Sequence, residues 1–333
     1  MSTNQTPTPI PPLRPDATGA DQVLAAMAAV ATANGAALSD VDRRMLAGAS
    51  RYIFGQGTPF DVTALPDSTP EGLASALTGT DLAQDTARML AIMALVDGKL
   101  DTDRIDSVFA YADALDMHDP YMKLLRMSID GDEPAALAEM INANMISITG
   151  KPWTSGDINE WLTPYGHGHE DETMADRFEA LKALPEASFG HHFWAHFKHS
   201  NYEFPGEPTA LNAAFSKPHD SAHVLTGFAT DPRGELLVST FTSTMHPYYP
   251  LAGHVLPVIF SWHLNIEINK VAKDAKGALD PDVFWRAWAG GAATTVDTFD
   301  PKWDFWAHVE TPLIDLRRRW SIPDEGLDFK NPS

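Results

Sequence analysis

The sequence predicts an all-α protein that consists of two helical domains. Apolar residues recur at the spacing of a helix face along most of the 333 residues, and alternating β-branched residues are absent from 21–145. Capping residues stand where several helices would begin. We expect a disordered tail at 1–20, a first domain at 21–145, a linker at 146–175 and a second domain at 176–325.

The first domain contains six segments with helical spacing. These are "DQVLAAMAAVATANGAAL", "SDVDRRMLAGASRYIF", "PEGLASALTG", "TARMLAIMALVDGKL", "DTDRIDSVFAYADALD" and "EPAALAEMINANMI". Ser39, Asp101 and Asp132 precede three of the segments and suit the N-cap position, where a side-chain oxygen accepts from a free backbone N–H. A helical bundle is therefore expected here.

Two parts of this domain form an imperfect repeat. "MAAVATANGAALSDVDRRMLAGA" and "MLAIMALVDGKLDTDRIDSVFAYA" each predict a helix, an Asn-Gly or Asp-Gly turn, an acidic cap and a second helix. With Asp97, Gly98 and Asp103 the region resembles the TerB-like helical domain of the tellurite-resistance family. That family usually has Glu at the third position, and the first half here has Asn34 in place of the first Asp. By turn and cap chemistry alone, the acids are interpreted as a turn and helix caps.

Charge and composition exclude several classes of protein. The net charge is −21, with 20 acids against 9 basic residues in 1–150 and 25 against 15 in the rest. A negative field in both halves excludes nucleic acid as a partner and disfavours electrostatic docking on anionic lipid. The chain has no cysteine, so any metal site must use His, Asp and Glu.

The sequence also predicts where the protein resides. The Pro/Thr-rich stretch "MSTNQTPTPIPPLRPDATGA" has little apolar content and no basic region that leads into an apolar run. We expect a disordered tail and no signal peptide. No segment approaches the ~18 uncharged apolar residues of a membrane-spanning helix. A cytoplasmic protein that is not secreted is expected.

The linker is expected to be a loop, and the second domain is expected to be mainly helical. The linker contains "HGHEDE", which is interpreted as a solvated, charged loop. Helical spacing dominates from "DRFEALKALPEASFGHHFWAHFKHSNYEF" to "WAHVETPLIDLRRRW". The most strand-like string, "LPVIFSWHLNIEI", is predicted to be a buried helix because no turn or partner strand accompanies it.

A cluster of potential metal ligands lies in "KPHDSAHVLTGFATDPRGELL". If Pro218 opens a helix, successive steps of 100° place His219 at about 0°, His223 at about 40° and Asp220 at about 100°. All three side chains then share one face. Gly227 is a plausible C-terminal stop for that helix.

The same stretch predicts a second helix that returns a carboxylate to this face. Asp231 suits its N-cap and Pro232 its first position, which places Glu235 in the first turns. A short connection favours an antiparallel pair of helices. Two imidazoles and two carboxylates would suit Zn²⁺, Fe²⁺ or Mn²⁺. The alternative is a His–Asp hydrogen bond together with a capping acid.

Other histidines receive simpler interpretations. His192 and His196 in "HHFWAHFKH" lack a carboxylate at helical spacing and are taken as partly exposed or core side chains. His246 precedes a proline and is predicted to end the second helix of the cluster. His254 and His263 lie in an apolar stretch and are predicted to be buried core residues.

The neighbouring segments resemble the Coq4 family of ubiquinone biosynthesis. The cluster reads HDxxH, eleven residues and then Glu, and it is flanked by "LKALPEASFGHHFWAHF" and "WRAWAGGAATTVDTFDPKWDFWAHVETPLIDLRRRWSIP". The similarity covers about 176–323. It implies an all-helical domain whose ligands to zinc or a similar divalent ion are His219, Asp220, His223 and Glu235.

The resemblance also implies an activity and partners. The activity is oxidative decarboxylation at C1 of a polyprenyl hydroxybenzoate, on a protein bound peripherally at the inner face of the membrane. Partners would be a prenylated aromatic or polyprenyl lipid, other quinone-biosynthesis enzymes and a second copy of the chain. "MHPYYPLAGHVLPVIFSWHL" and the tryptophans at 285, 288, 303 and 306 are candidates to hold the prenyl chain.

Two other functions are compatible with the sequence. The first is a non-catalytic scaffold that binds a polyprenyl lipid and organises quinone-biosynthesis enzymes, with a purely structural ion. The second is an HD-type metal phosphohydrolase, which the pair His219-Asp220 suggests. That family normally draws a further His and a distant Asp from other helices, whereas Glu235 and the flanking segments here suit Coq4.

Overall fold

The computed structural model confirms the all-α fold class. It describes residues 19–57, 60–153, 158–166, 168–268 and 275–328. Within these ranges the regular structure is helical, apart from two isolated β-bridges that join Ser188 to Pro312 and Leu264 to Lys276. The tail predicted at 1–20 lies outside the described residues except for its last two positions.

The helices follow one another closely along the chain. They are α1 (Ala20–Ala31), α2 (Asp40–Tyr52), α3 (Pro70–Leu77), α4 (Ala83–Met93), α5 (Thr102–Ala114), α6 (Pro120–Ile129), α7 (Glu133–Thr149), α8 (Ile158–Leu162), α9 (Glu172–Glu179), α10 (Phe189–His199), α11 (Ala213–Thr226), α12 (Pro232–Met245), α13 (Leu256–Trp262), α14 (Phe284–Ala293) and α15 (Leu313–Arg319). Short 3₁₀ turns occupy Val62–Ala64, Ala180–Ala183 and Phe305–Ala307, and a π-helix occupies Pro250–Val255.

The caps of α2 and α5 agree with the prediction, whereas Asp132 stands at the N-cap of α7 without a side-chain hydrogen bond to the helix. The Ser39 hydroxyl accepts a hydrogen bond from the backbone N–H of Asp42. The Asp42 carboxylate in turn accepts one from the backbone N–H of Ser39. The Asp101 carboxylate accepts two hydrogen bonds, one from the backbone N–H of Arg104 at 3.2 Å and one from the Asn34 side-chain amide at 2.7 Å. Asp42 and Asp101 therefore act in helix caps, whereas Asp97 beside the turn lies 3.4 Å from the Lys99 ammonium and 3.9 Å from the Arg104 guanidinium. Helix α6 is an addition to the six predicted segments.

Two hydrophobic clusters make up the core of the described residues. The larger one contains buried side chains of α1–α7 together with Leu236, Leu256, Trp285 and Trp288 from the C-terminal half. The smaller one is rich in phenylalanine and packs α9, α10, α11, α12 and α15. Because the larger cluster draws on both predicted domains, the boundaries at 145 and 176 stay a prediction.

The structure corrects two local predictions. Pro218 does not open its helix, because α11 begins five residues earlier, where the Asn212 side chain accepts from the backbone of Ala214 at 2.9 Å. Pro218 therefore lies inside the helix, where its ring removes one backbone donor. The string "LPVIFSWHLNIEI" is helical only as far as Trp262, and Asn265 then adopts φ 64.

Part of the predicted linker is helical. It contains α8 and the start of α9, where Asp171 of "HGHEDE" caps the helix by accepting from the backbone of Met174 at 2.9 Å. His167 of the same string lies outside the described residues. In the described ranges, no helix combines the length and apolar character needed to cross a membrane.

Candidate metal centre

The α11–α12 turn brings the predicted ligands together. Gly227 ends α11 with φ 76, and Asp231 starts α12 by accepting from the backbone of Gly234 at 2.7 Å. A Cβ added at Gly234 would lie 1.9 Å from the carbonyl oxygen of Ala229, so this connection needs glycine. As predicted, the two helices pair, and Glu235 in the first turn of α12 faces back to α11.

Three donor atoms form a small triangle. His219 Nε2 lies 3.2 Å from Glu235 Oε2 and 3.2 Å from His223 Nε2, and His223 Nε2 lies 3.4 Å from Glu235 Oε2. Zinc ligands at 2.0–2.1 Å in a tetrahedron are separated from one another by about 3.3–3.4 Å. The triangle therefore has the dimensions of one face of a tetrahedral zinc site. It is also the one group of potential ligands of this kind among the described residues.

The orientation of His223 suits a ligand. Its Nδ1 donates to the carbonyl oxygen of Phe228 at 2.9 Å, and its ring is buried. With Nδ1 as the donor, the neutral ring keeps a lone pair on Nε2, the atom that faces His219 and Glu235. A second hydrogen bond of this kind is typical of histidines that bind metals. Phe215 supports the other imidazole, stacking on His219 at 4.7 Å.

Asp220, the fourth predicted ligand, is placed differently. Its Oδ1 accepts from Nε2 of His196 at 3.0 Å, and its carboxylate is not part of the triangle. The His196 ring lies beside the His223 ring, with centroids 5.3 Å apart. Sequence reasoning missed this pairing because Asp220 approaches from α11, whereas only carboxylates on the helix of His196 itself were considered.

Charges at the centre are buried and mutually dependent. Burial alone would raise the pKa of Glu235, but the two neighbouring imidazoles outweigh it and hold this pKa well below its usual value. Burial opposes protonation of His223, yet Glu235 and Asp220 raise its pKa overall. Burial, helped by the charge of Glu235, raises the pKa of Tyr202 to about 12. A positive charge beside Glu235 therefore stabilises its buried carboxylate; protonated imidazoles supply such a charge, and a divalent ion would supply it as well.

The centre opens into a large cavity of about 830 Å³. This volume lies within the range of small-molecule sites. Polar groups are supplied by residues that include His219, Asp220, Glu235, Ser239, Thr242 and His254. Apolar lining residues include Met140, Ile141, Ile158, Leu162, Leu211, Phe215, Pro257, Val258, Trp262, Ile268 and Phe299. The cavity can thus hold a molecule with a polar head and a hydrocarbon body.

The apolar candidates named from the sequence divide into two groups. Within "MHPYYPLAGHVLPVIFSWHL", Pro257, Val258 and Trp262 line the cavity. Trp285 and Trp288 belong instead to the larger core cluster, and the tryptophans at 303 and 306 pack against the smaller one. His254 and His263 are buried, as predicted, and His254 also borders the cavity.

Comparisons with known proteins give little further guidance. No family model and no curated protein matches this sequence. Among solved structures, a candidate ubiquinone biosynthesis protein from Nostoc punctiforme PCC 73102, determined at 2.85 Å, aligns with 71% of this chain and 96% of its own chain. The aligned residues are 18% identical and the TM-score is 0.29.

Proposed function

We propose that this protein is a Coq4-like, metal-dependent enzyme of prenylquinone biosynthesis. The observation that supports this most is the triangle of His219, His223 and Glu235, which has tetrahedral dimensions and opens into a mostly apolar cavity. Two nitrogen donors and one oxygen donor leave room for a ligand at the fourth position, as catalytic zinc sites do. Zn²⁺ fits best, and Fe²⁺ or Mn²⁺ suit the same donors.

The proposed substrate is a prenylated hydroxybenzoate. A bound divalent ion supplies Lewis-acid polarisation of a ring carboxylate or phenolic oxygen. His219 and Glu235 border the cavity, so they would hold that ion on the side that a substrate enters. The Phe228 carbonyl keeps the Nε2 lone pair of His223 directed at the same point. Apolar residues beyond the centre exclude water and accommodate the prenyl tail.

The proposed reaction is an oxidative decarboxylation. The bond between C1 of the ring and its carboxylate breaks, CO₂ leaves, and a hydroxyl group takes its place on C1. Dioxygen and water balance the step: water supplies the hydroxyl group, and dioxygen accepts two electrons and two protons to become hydrogen peroxide. A zinc ion is redox-inert, so the electrons would come from the oxygen-rich ring.

Metal content tests the proposed centre directly. Wild-type protein from a metal-replete preparation should contain about one divalent ion per chain by elemental analysis. The His219→Ala/Glu235→Ala variant should lose it, whereas the exposed His199 allows a control, His199→Ala, that should retain it. A wild-type protein that folds and binds no divalent ion would disprove the proposal.

A second experiment separates catalysis from scaffolding. Glu235→Gln keeps the size of the side chain but removes the charge that faces both imidazoles. In a host deficient in Coq4, this variant should not restore quinone synthesis, although circular dichroism should show a folded protein. Restoration by the folded variant would favour the lipid-binding scaffold over the enzyme.

A further inference from the structure

Helix α12 runs along the cavity and leads away from the metal centre. Glu235 stands in its first turn, and Ser239 and Thr242 follow on the same face and also line the cavity. At a rise of 1.5 Å per residue, the stripe from Glu235 to Thr242 is about 10 Å long. The cavity therefore follows α12 over this length, with the candidate metal centre towards the N-terminal end of the helix.

Helix α7, from the N-terminal half of the chain, docks at the opposite end of α12. The backbone carbonyl of Ser147 accepts from Nε2 of His246, directly after the last residue of α12, at 3.0 Å. His246 lies eleven residues after Glu235, which corresponds to about 16 Å along the axis. Asn144 strengthens the docking, because its side-chain amide donates to the carbonyl oxygen of Gly253 in the π-helix at 2.6 Å.

Part of the apolar cavity wall comes from residues before 176. Met140 and Ile141 on α7 line it, as do Ile158 and Leu162 on α8. Helix α8 lies at the same end, because the Leu162 carbonyl accepts from the backbone of Asn212, the N-cap of α11, at 2.7 Å. His219 and His223, the proposed histidine ligands, lie seven and eleven residues after this cap, which corresponds to about 10 and 16 Å along α11.

We propose that helix α7 selects the length of the ligand's hydrocarbon tail, with Ile141 as the residue at which the tail stops. The proposal rests on the proposed function only in placing the polar head at the metal centre. Ile141 is partly buried and lines the cavity, but it belongs to neither hydrophobic cluster of the described residues. Its side chain is thus available to a ligand. The N-terminal half then completes the binding site.

This arrangement predicts a break in the dependence of affinity on tail length, that is, a length beyond which the affinity stops rising. Each buried methylene should tighten binding about fourfold until the tail reaches Ile141, after which further carbons add nothing. Ile141→Ala removes three carbon atoms from the wall, so the break should move to tails longer by about two or three carbons. Ile141→Trp should move the break to shorter tails.

Saturated fatty acids of eight to twenty carbons are suitable probes. Their binding to the full-length protein would be measured by titration calorimetry, with zinc-loaded and with metal-free protein. Leu137 lies one turn before Ile141 on α7 and packs against the larger core cluster without lining the cavity. Leu137→Ala is therefore the matched control and should leave the break in place. Ile141→Val, which should give a smaller shift, serves if the alanine variant unfolds.

The outcomes separate this proposal from the proposed function. A break that stays at the same length in every Ile141 variant would overturn the role of α7, as would the absence of binding for every probe. If the break moves as expected but no metal binds, the proposed function fails and the selection of tail length by α7 stands.

Discussion

At the scale of single residues, the positions of two carboxylates decide what the centre can bind. Glu235 contacts both imidazoles, whereas Asp220 is hydrogen-bonded to His196. The spacing of residues along a helix predicted that His219, Asp220 and His223 share a face. It could not predict which side chain would turn to a third helix, because the identity of the helix that packs against that face is not encoded in the spacing.

Because of this difference, substitution of Glu235 should reduce the metal affinity more than substitution of Asp220. Glu235→Gln should weaken zinc binding most, because it removes a ligand charge. Asp220→Asn should weaken it less, because Asp220 is hydrogen-bonded to His196, which stacks beside His223, and not to a proposed ligand itself. Competition with a chromophoric chelator measures both values. An Asp220→Asn variant that loses as much affinity as Glu235→Gln would mean that Asp220 rotates to the ion.

His254 gives a prediction for the pH dependence of stability. Burial, together with the nearby His246 and His219, lowers the pKa of His254 from its ordinary value of 6.5 to about 3. Ser147 donates to the Tyr248 carbonyl, so the 2.7 Å contact of its Oγ with His254 Nε2 requires the imidazole N–H to donate. As the pH falls below about 6.5, His254 becomes protonated in the unfolded chain but stays neutral in the folded protein. The free energy of unfolding therefore decreases.

His254→Gln should reduce this acid sensitivity. Between pH 7.5 and pH 5, the wild type should lose about 1–2 kcal/mol more free energy of unfolding than the variant. Urea unfolding at both pH values measures the difference. His118, an exposed histidine, allows the control His118→Gln, which should behave as the wild type. An equal loss in wild type and His254→Gln would show that His254 is protonated in the folded protein.

At the scale of elements, helix caps and turns were more predictable than helix starts near proline. Asp231, Gly227 and Ser39 took the predicted roles because each acts through bonds within a few residues. The prediction that Pro218 opens the helix was wrong. Proline is common in the first turn of a helix, but here the cap is Asn212, further upstream. Tertiary packing can keep a helix continuous through proline, and no local pattern reveals that packing.

The α11–α12 turn is the element on which the centre depends most. Gly234→Ala places a methyl group against the carbonyl oxygen of Ala229 and should destabilise the protein by about 2–3 kcal/mol. It should also weaken metal binding, because Glu235 is the next residue. Thermal unfolding and metal titration measure both effects. Gly57→Ala, where the added Cβ would meet nothing within 4 Å, is the control. Unchanged metal affinity in Gly234→Ala would contradict this dependence.

At the scale of the whole molecule, the two halves share a core. Leu236, one residue after the proposed ligand Glu235, packs in the same cluster as α1–α7. Arg44 on α2 also binds Asp282, just before α14, through two bonds of 2.8 and 2.6 Å. Helical spacing predicted helices with apolar faces. It could not predict that the halves bury them against each other, because a buried face looks the same whatever covers it.

This shared core predicts that metal binding stabilises helices far from the metal. The described parts of both halves should unfold in one calorimetric transition, and free zinc at 100 times its dissociation constant should raise the free energy of unfolding by about 2.7 kcal/mol. Amide hydrogen exchange in the buried helix α4 should slow with zinc, because those amides exchange through global unfolding. The His219→Ala/Glu235→Ala variant should show no change. If zinc protects α11 and α12 but leaves α4 unaffected, the halves unfold independently and the shared core does not couple them.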